Sequence, residues 1–410
     1  METINEETPV ETPVETPIEI KKEAGSYTPR EITSWEDLEA KLPLLRGIYN
    51  HGFETPSPIQ KQAIGPIFDK KDIIAQAQSG TGKTGCFVIG TLQLIDTKKN
   101  TTQAMLLSPT RELAVQTKQV LDALGSQFSD LRTQLLIGGT STEEDIRQLN
   151  SGSRPHVVIG CPGRVNDMLK RKRLDAKNII FLVLDEADEM LSSGFKEQVY
   201  NIFQFMTHNI QVALFSATMP PELNSLTDRF MRNPIKILVK AEMLTLEGIT
   251  QYYVALDNDD QKYETLKDIY GTISMSQCII YCNSVKRVSD LYEAMLTDNF
   301  PVCQIHSSME KEARMRSYNE FKSGKHRVMI SSNVTARGID VQQVSTVINF
   351  DVPKCVHTYL HRIGRSGRWG RKGVGINFIT QRDIHQIKEL EQYYGTKITE
   401  LTDNWADKAN

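Results

Sequence analysis

Hydrophobic and polar positions along this chain follow two alternating rhythms. Short apolar runs at Asp72–Ala75, Met105–Leu107, Gln134–Ile137, His156–Ile159, Ile179–Leu184 and Gln211–Phe215 read as buried strands, and stretches of helical period follow most of them. A second series begins at Ile249, with strands expected at Cys278–Tyr281, Val302–Ile305, Val328–Ser331, Thr346–Asn349 and Gly375–Ile379. Strand–helix alternation of this kind predicts an α/β fold of doubly wound, mostly parallel sheets covered on both faces. Ahead of it, Ser34-Trp35-Glu36-Asp37 reads as a helix cap, with Leu38, Leu42 and Leu45 on one helical stripe.

The pattern also sets the domain limits. Residues 1–33 open with Thr-Pro-Val-Glu repeats from Thr8 to Glu19 and carry no Lys or Arg in the first twenty positions. Proline at every fourth place forbids helix, so a disordered acidic tail is expected. A first domain is expected over 34–239, a weakly periodic linker over 240–248, and a second domain over 249–410.

Composition narrows the class. At 410 residues the chain can bury two cores. Its longest apolar run, Ile179 to Leu184, is too short to span a membrane. Net charge is −3, so any surface for nucleic acid must be local. The six cysteines show no paired CxxC spacing, which favours reduced core residues in a cytoplasmic or nuclear setting.

One stretch carries clear chemistry. Ala77-Gln78-Ser79-Gly80-Thr81-Gly82-Lys83-Thr84 stands between an expected strand and an expected helix, where backbone N–H groups can wrap a phosphate chain. Lys83 would reach the β- and γ-phosphates and the Thr84 hydroxyl would ligate Mg²⁺, although Ala77 replaces the first glycine of the general pattern. The run 179–184 ends in Asp185-Glu186-Ala187-Asp188, placing Asp185 to hold Mg²⁺ and Glu186 to polarise water. Phe53 can stack on a purine, and the Gln60 amide suits the N6/N7 edge of adenine. Ser216-Ala217-Thr218 brings two hydroxyls to the same sheet edge. In the second series, His361 to Lys372 holds Arg362, Arg365, Arg368, Arg371 and Lys372 without an acid. Arg365 and Arg368 would there face the γ-phosphate as arginine fingers.

Together with Pro109–Leu113, Gly138-Gly139, Pro162-Gly163-Arg164, Ala336–Asp340 and His361–Arg368, these motifs occur in one order. From Trp35 onward the chain resembles the DEAD-box RNA helicases. Asp185–Phe195, Glu247-Gly248-Ile249 and Gly338–Val344 are most like the branch that acts in translation initiation, with a paralogue in RNA surveillance close behind. The resemblance implies two RecA-like domains joined by a flexible linker, with ATP and Mg²⁺ as cofactors and RNA as substrate. Lys83, Thr84, Asp185, Glu186, Arg365 and Arg368 would serve ATP chemistry, Gly338 and Asp340 the ribose side. Pro109, Thr110, Arg111, Gly139, Gly163, Arg164 and Asn333 would hold the RNA backbone without reading bases, and Ser216 and Thr218 would couple the sites. It further implies a cytoplasmic monomer with a possible initiation scaffold protein as partner. An ATP-gated RNA clamp with slow turnover is the alternative.

The chain departs from the family pattern in places. Cys161 stands for the usual Thr, Ser307-Ser308 for Gly-Asp after the histidine, Lys311 for Gln, Asn333 for Asp, and Trp35 for an upstream Phe. Most fall on the RNA side of the second domain.

Overall fold

The computed structural model describes residues 19–21, 30, 32–77, 80–192, 194–238, 248–273, 276–335, 344–366 and 372–401. Gln78, Ser79, Gly338, Asp340 and Arg368, most of the expected tail and nearly all of the expected linker lie outside these residues.

Two sheets form among the described residues. The first contains β1 (Glu19–Lys21), β2 (Ile73–Gln76), β3 (Ala104–Leu107), β4 (Thr133–Leu136), β5 (Val157–Gly160), β6 (Phe181–Leu184), β7 (Gln211–Ser216) and β8 (Ile235–Leu238). Their order is β1-β8-β2-β7-β6-β3-β5-β4, and every pairing except β1 with β8 is parallel. The second contains β9 (Ile249–Ala255), β10 (Gln277–Tyr281), β11 (Val302–Ile305), β12 (Val328–Ser331), β13 (Val344–Asn349), β14 (Gly373–Ile379) and β15 (Thr399–Glu400). It is parallel throughout, in the order β11-β12-β10-β13-β14-β9-β15.

The central strands are buried on both faces because successive residues feed two different cores. Ile73 and Ala75 enter one cluster with Phe181 and Val183, while Ile74 enters the other with Leu182 and Leu184. In the second sheet Ile279 and Tyr281 face one core, Cys278 and Ile280 the other. That is the period-2 signature of a sheet covered by helices on both sides. All six cysteines are free thiols; five are buried and Cys355 is exposed.

Some elements differ from expectation. Ser34 opens no helix; Asp37 Oδ2 accepts from the N–H groups of Thr33 and Ser34 at 2.8 Å and closes a 3-10 turn at Glu36–Leu38. The helix starts only at Leu42. Strands β8 and β15 were not expected: β8 alternates Ile-Lys-Ile-Leu next to the sheet margin, and β15 is two residues long. Within the stretch expected as tail, Glu19–Lys21 pairs antiparallel with β8. Among the described residues no helix is long and apolar enough to cross a membrane.

Candidate ATP and RNA sites

The phosphate loop leaves β2 and turns into the helix Lys83–Leu94 through Gly80 and Gly82, whose φ values are 85° and 100°. Both lie in the left-handed region that a side chain resists. Gly82 and Gly85 serve a second need. A Cβ on Gly82 would meet Gln60 Nε2 at 2.8 Å, and one on Gly85 would meet the same atom at 2.6 Å and Phe53 at 3.2 Å. The two expected base-reading residues thus rest on the start of this helix. Phe53 is stacked in turn on Trp35, with ring centroids 6.2 Å apart.

The Gln60 amide already has protein partners. Its Oε1 accepts from Ser57 N at 2.8 Å, completing a capping box for the helix Pro58–Phe68, and its Nε2 donates to Gly82 O at 3.2 Å. Ser57 Oγ donates to Thr81 O at 2.7 Å. One helix N-terminus and the phosphate loop are therefore tied together through Ser57 and Gln60.

Strand β6 delivers Asp185, Glu186 and Asp188, all buried, to the same edge. Glu186 has φ 50°, a left-handed backbone on a residue with a side chain. Lys83 Nζ lies 3.3 Å from Glu186 Oε1, an ion pair with both side chains 5 % exposed. Burial, with Glu186 beside it, pushes the Asp185 carboxyl up to about 7, against the pull of Lys83. Three buried carboxylates, one of them paired with Lys83, form a hard oxygen donor set. Asp185 with the half-buried Thr84 fits a divalent cation that prefers oxygen ligands.

Strand β7 runs into Ser216 and Thr218, the residues expected to couple the sites. Ser216 O accepts from Ala77 N at 3.1 Å, and Thr218 N donates to Ser216 Oγ at 3.3 Å. The Thr218 hydroxyl donates to Asp188 Oδ2, which also lies 3.2 Å from His361 Nε2 of the other lobe. Arg365, 3 % exposed, points its Nε back at the His361 carbonyl at 3.2 Å. The sequence reading named the hydroxyls and missed the Asp188–His361 bridge between them and the second lobe. The position of His361, opening the basic cluster, was the available signal.

Between the lobes runs a cleft of about 780 Å³. Pro109, Thr110, Arg111, Gly163, Arg164 and Asn333, the residues expected to hold RNA, line it, as does Gly138 rather than its neighbour Gly139. Gly139 is the turn residue, with φ 83°. Gly138 makes room for Arg111, whose Nη2 would stand 3.3 Å from a Cβ there. Thr110 caps the helix Arg111–Leu124 by accepting from Leu113 N at 3.3 Å. Arg164 is largely engaged within its own lobe: its guanidinium pairs with Asp145 Oδ2 and donates to Thr140 O at 2.9 Å. Two contacts missed from sequence also bridge the lobes. Arg314 Nη2 meets Glu112 Oε2 at 2.8 Å, and Gln116 Nε2 donates to Tyr318 OH at 3.1 Å.

The departures have visible consequences. Cys161, N-terminal to the helix Pro162–Lys170, provides no side-chain cap, and burial pushes its thiol up to about 12. Trp35 is fully buried, and its Nε1 has no hydrogen-bond partner. Ser307 lines the cleft.

The DEAD/DEAH box helicase family matches residues 57–226, and the helicase conserved C-terminal domain matches 261–370. The chain is 51 % identical to eukaryotic initiation factor 4A of Caenorhabditis elegans over 92 % of its own length and 93 % of that protein. It is 48 % identical to the ATP-dependent RNA helicase fal1 of Schizosaccharomyces pombe, covering 92 % of this chain and 95 % of that one. Among solved structures, Dbp5 of S. cerevisiae bound to RNA and ADP BeF3 superposes with a TM-score of 0.86 at 32 % identity, over 92 % and 98 % of the two chains. The chain belongs to the DEAD/DEAH box helicase family, and its two sheets are the family's two RecA-like domains.

Proposed function

We propose that this ATP-dependent RNA helicase acts on mRNA in translation initiation and opens short duplexes by closing its two lobes on one strand. The observation that carries this reading is the junction at Asp188, which binds Thr218 of the first lobe and His361 of the second beside the phosphate loop. Taking the lobes as 34–239 and 249–410, nucleotide binds at the edge of the first and RNA lies in the cleft between them.

Lys83 drives the first exchange. Its ammonium now sits on Glu186; a bound polyphosphate carries more charge and draws it away. Glu186 is then released to polarise the attacking water. Ala77, Gln78, Ser79, Gly80, Thr81 and Gly82 supply backbone N–H groups to the phosphates, with Phe53 and Gln60 at the base and Gly338 and Asp340 at the ribose. Thr84 and Asp185 would hold Mg²⁺, which neutralises charge developing on the transferred phosphoryl group. Arg365 and Arg368 complete the site from the second lobe.

Closure sets both lobes against one RNA backbone. Pro109, Thr110, Arg111, Gly163 and Asn333 face it, Gly139 shapes the turn beside it, and Arg164 orients the loop that carries Gly163. Bending one strand breaks stacking at a cost of a few kcal/mol per step, so only a few pairs open at a time. Loss of phosphate then removes the attraction for Arg365 and Arg368, and the strand is released. The enzyme works as a cytoplasmic monomer, with an initiation scaffold protein as its partner. The test is ATPase with and without single-stranded RNA, beside ATP-dependent release of a short RNA duplex. RNA-stimulated ATPase with duplex release is expected; stimulation without release would leave only a clamp.

A further inference from the structure

The Arg362 guanidinium is fully buried (0 % exposed) and lies 5.2 Å from the centre of the Tyr281 ring. Its five N–H donors are all used. Nε and Nη2 donate to Asn333 Oδ1 at 2.9 and 2.6 Å, and Nη2 also to Asn283 Oδ1 at 2.7 Å. Nη1 donates to Asn349 Oδ1 at 3.1 Å and to the Asp351 carbonyl at 2.7 Å. Every one of these acceptors is neutral. Hydrogen bonding is complete while the charge is not matched, and burial holds this guanidinium down to about 10.

The nearby carboxylates are already committed. Asp351 Oδ1 takes Arg287 Nε at 2.8 Å and Lys262 Nζ at 3.5 Å, and its Oδ2 accepts from Asn283 N at 3.0 Å. Asp259 pairs with Lys262 at 3.1 Å and Arg287 at 2.6 Å. Among the described residues, Lys262 and Arg287 thus occupy both carboxylates, and Arg362 is left beside them with neutral acceptors only. A buried charge left in this state is costly unless an opposite charge comes to it.

The same amides that hold Arg362 form a wall of the cleft, since Asn283, Ser284, Ser332 and Asn333 line it. An anion in the cleft would stand one side chain away from the guanidinium, where the low local dielectric strengthens attraction. We propose that Asn333 keeps Arg362 short of a counter-charge, and that a phosphate of bound RNA supplies it. Asn333 is then a positioning residue that trades stability of the RNA-free lobe for affinity. The inference rests on the cleft being the RNA path.

Asn333→Asp tests it, because a carboxylate there would meet Nε and Nη2 with two charge-assisted bonds. Two quantities are read on the full chain: the Tm without RNA, and the affinity for fluorescein-labelled oligouridine with a non-hydrolysable ATP analogue. Asn333→Asp should raise Tm by about 2–4 °C. It should weaken RNA binding about fivefold at low salt, with a shallower salt dependence. Asn333→Ala, which removes the acceptor without adding charge, should lower Tm and weaken RNA binding less than Asn333→Asp does. A merely structural role predicts instead that both substitutions lower Tm and RNA binding together. A lower Tm for Asn333→Asp, or RNA binding as tight as the parent's, overturns the proposal and leaves the RNA reading standing. Failure of the parent itself to bind oligouridine would overturn the RNA reading and this inference with it.

Discussion

In the first lobe three carboxylates, Asp185, Glu186 and Asp188, are buried at one sheet edge, where Lys83 pairs with Glu186; in the second, Arg287 and Lys262 share Asp351 and Asp259, while the buried Arg362 beside them has only neutral acceptors. One lobe holds excess negative charge at its catalytic edge and the other holds excess positive charge behind its cleft wall. Each imbalance is costly in the empty enzyme and is relieved by a ligand of the opposite sign. Under the readings proposed above, a cation with ATP would answer the first and a phosphate backbone the second.

The sharpest way to break this comparison is at Glu186. Glu186→Gln keeps the shape and removes one carboxylate, so nucleotide binding should persist while turnover falls by about 10²–10⁴-fold. Turnover near the parent's, measured at saturating ATP and RNA, would remove Glu186 from the chemistry. Next comes the Glu112–Arg314 pair, where the two lobes meet through opposite charges. Either alanine substitution should lower RNA-stimulated kcat/KM about tenfold, and the double variant should be little worse than either single one. Fully additive losses would show that the pair does not act as a unit.

A comparable effect concerns pH. The Asp185 carboxyl is raised from 3.8 to about 7, so between those values the folded chain keeps a proton that the unfolded chain has lost. The stability this group contributes is present at low pH and is lost as pH rises through about 7. Mg²⁺ would compete with that same proton. Affinity for Mg²⁺·ATP should therefore rise about tenfold from pH 6 to pH 8 by calorimetry, and Asp185→Asn should bind weakly at both. The smallest effect belongs to Trp35, whose buried N–H lacks an acceptor. Trp35→Phe loses ring area but relieves that donor, so stability in urea should stay within about 1 kcal/mol of the parent.

Much of the site could be read from the chain because its chemistry is local. The loop from Ala77 to Thr84 follows a strand, Asp185 ends one, and both glycines of the loop have the positive φ that their places demand. What escaped notice joins residues far apart. Glu112 and Arg314 are separated by 202 positions, and Asp188 and His361 by 173, with no periodicity linking them. Arg164 lines the cleft, yet Asp145 on another helix holds its guanidinium, a pairing that no local pattern announces. Gln60 teaches a different lesson. Ser57-Pro58-Ile59-Gln60 has the spacing of a capping box, visible in the sequence, yet it was read only as a base-recognition loop. One amide closes the helix and touches the phosphate loop, and only coordinates display both bonds.

The backbone at Glu186 carries one more implication. A residue with a side chain held at φ 50° costs energy that glycine would not. The same residue buries a carboxylate within reach of two others. Glu186→Gly would relax the turn, but it would also leave the buried Lys83 ammonium without the carboxylate it pairs with. The strained turn is thus held in place by the ion pair its own side chain makes.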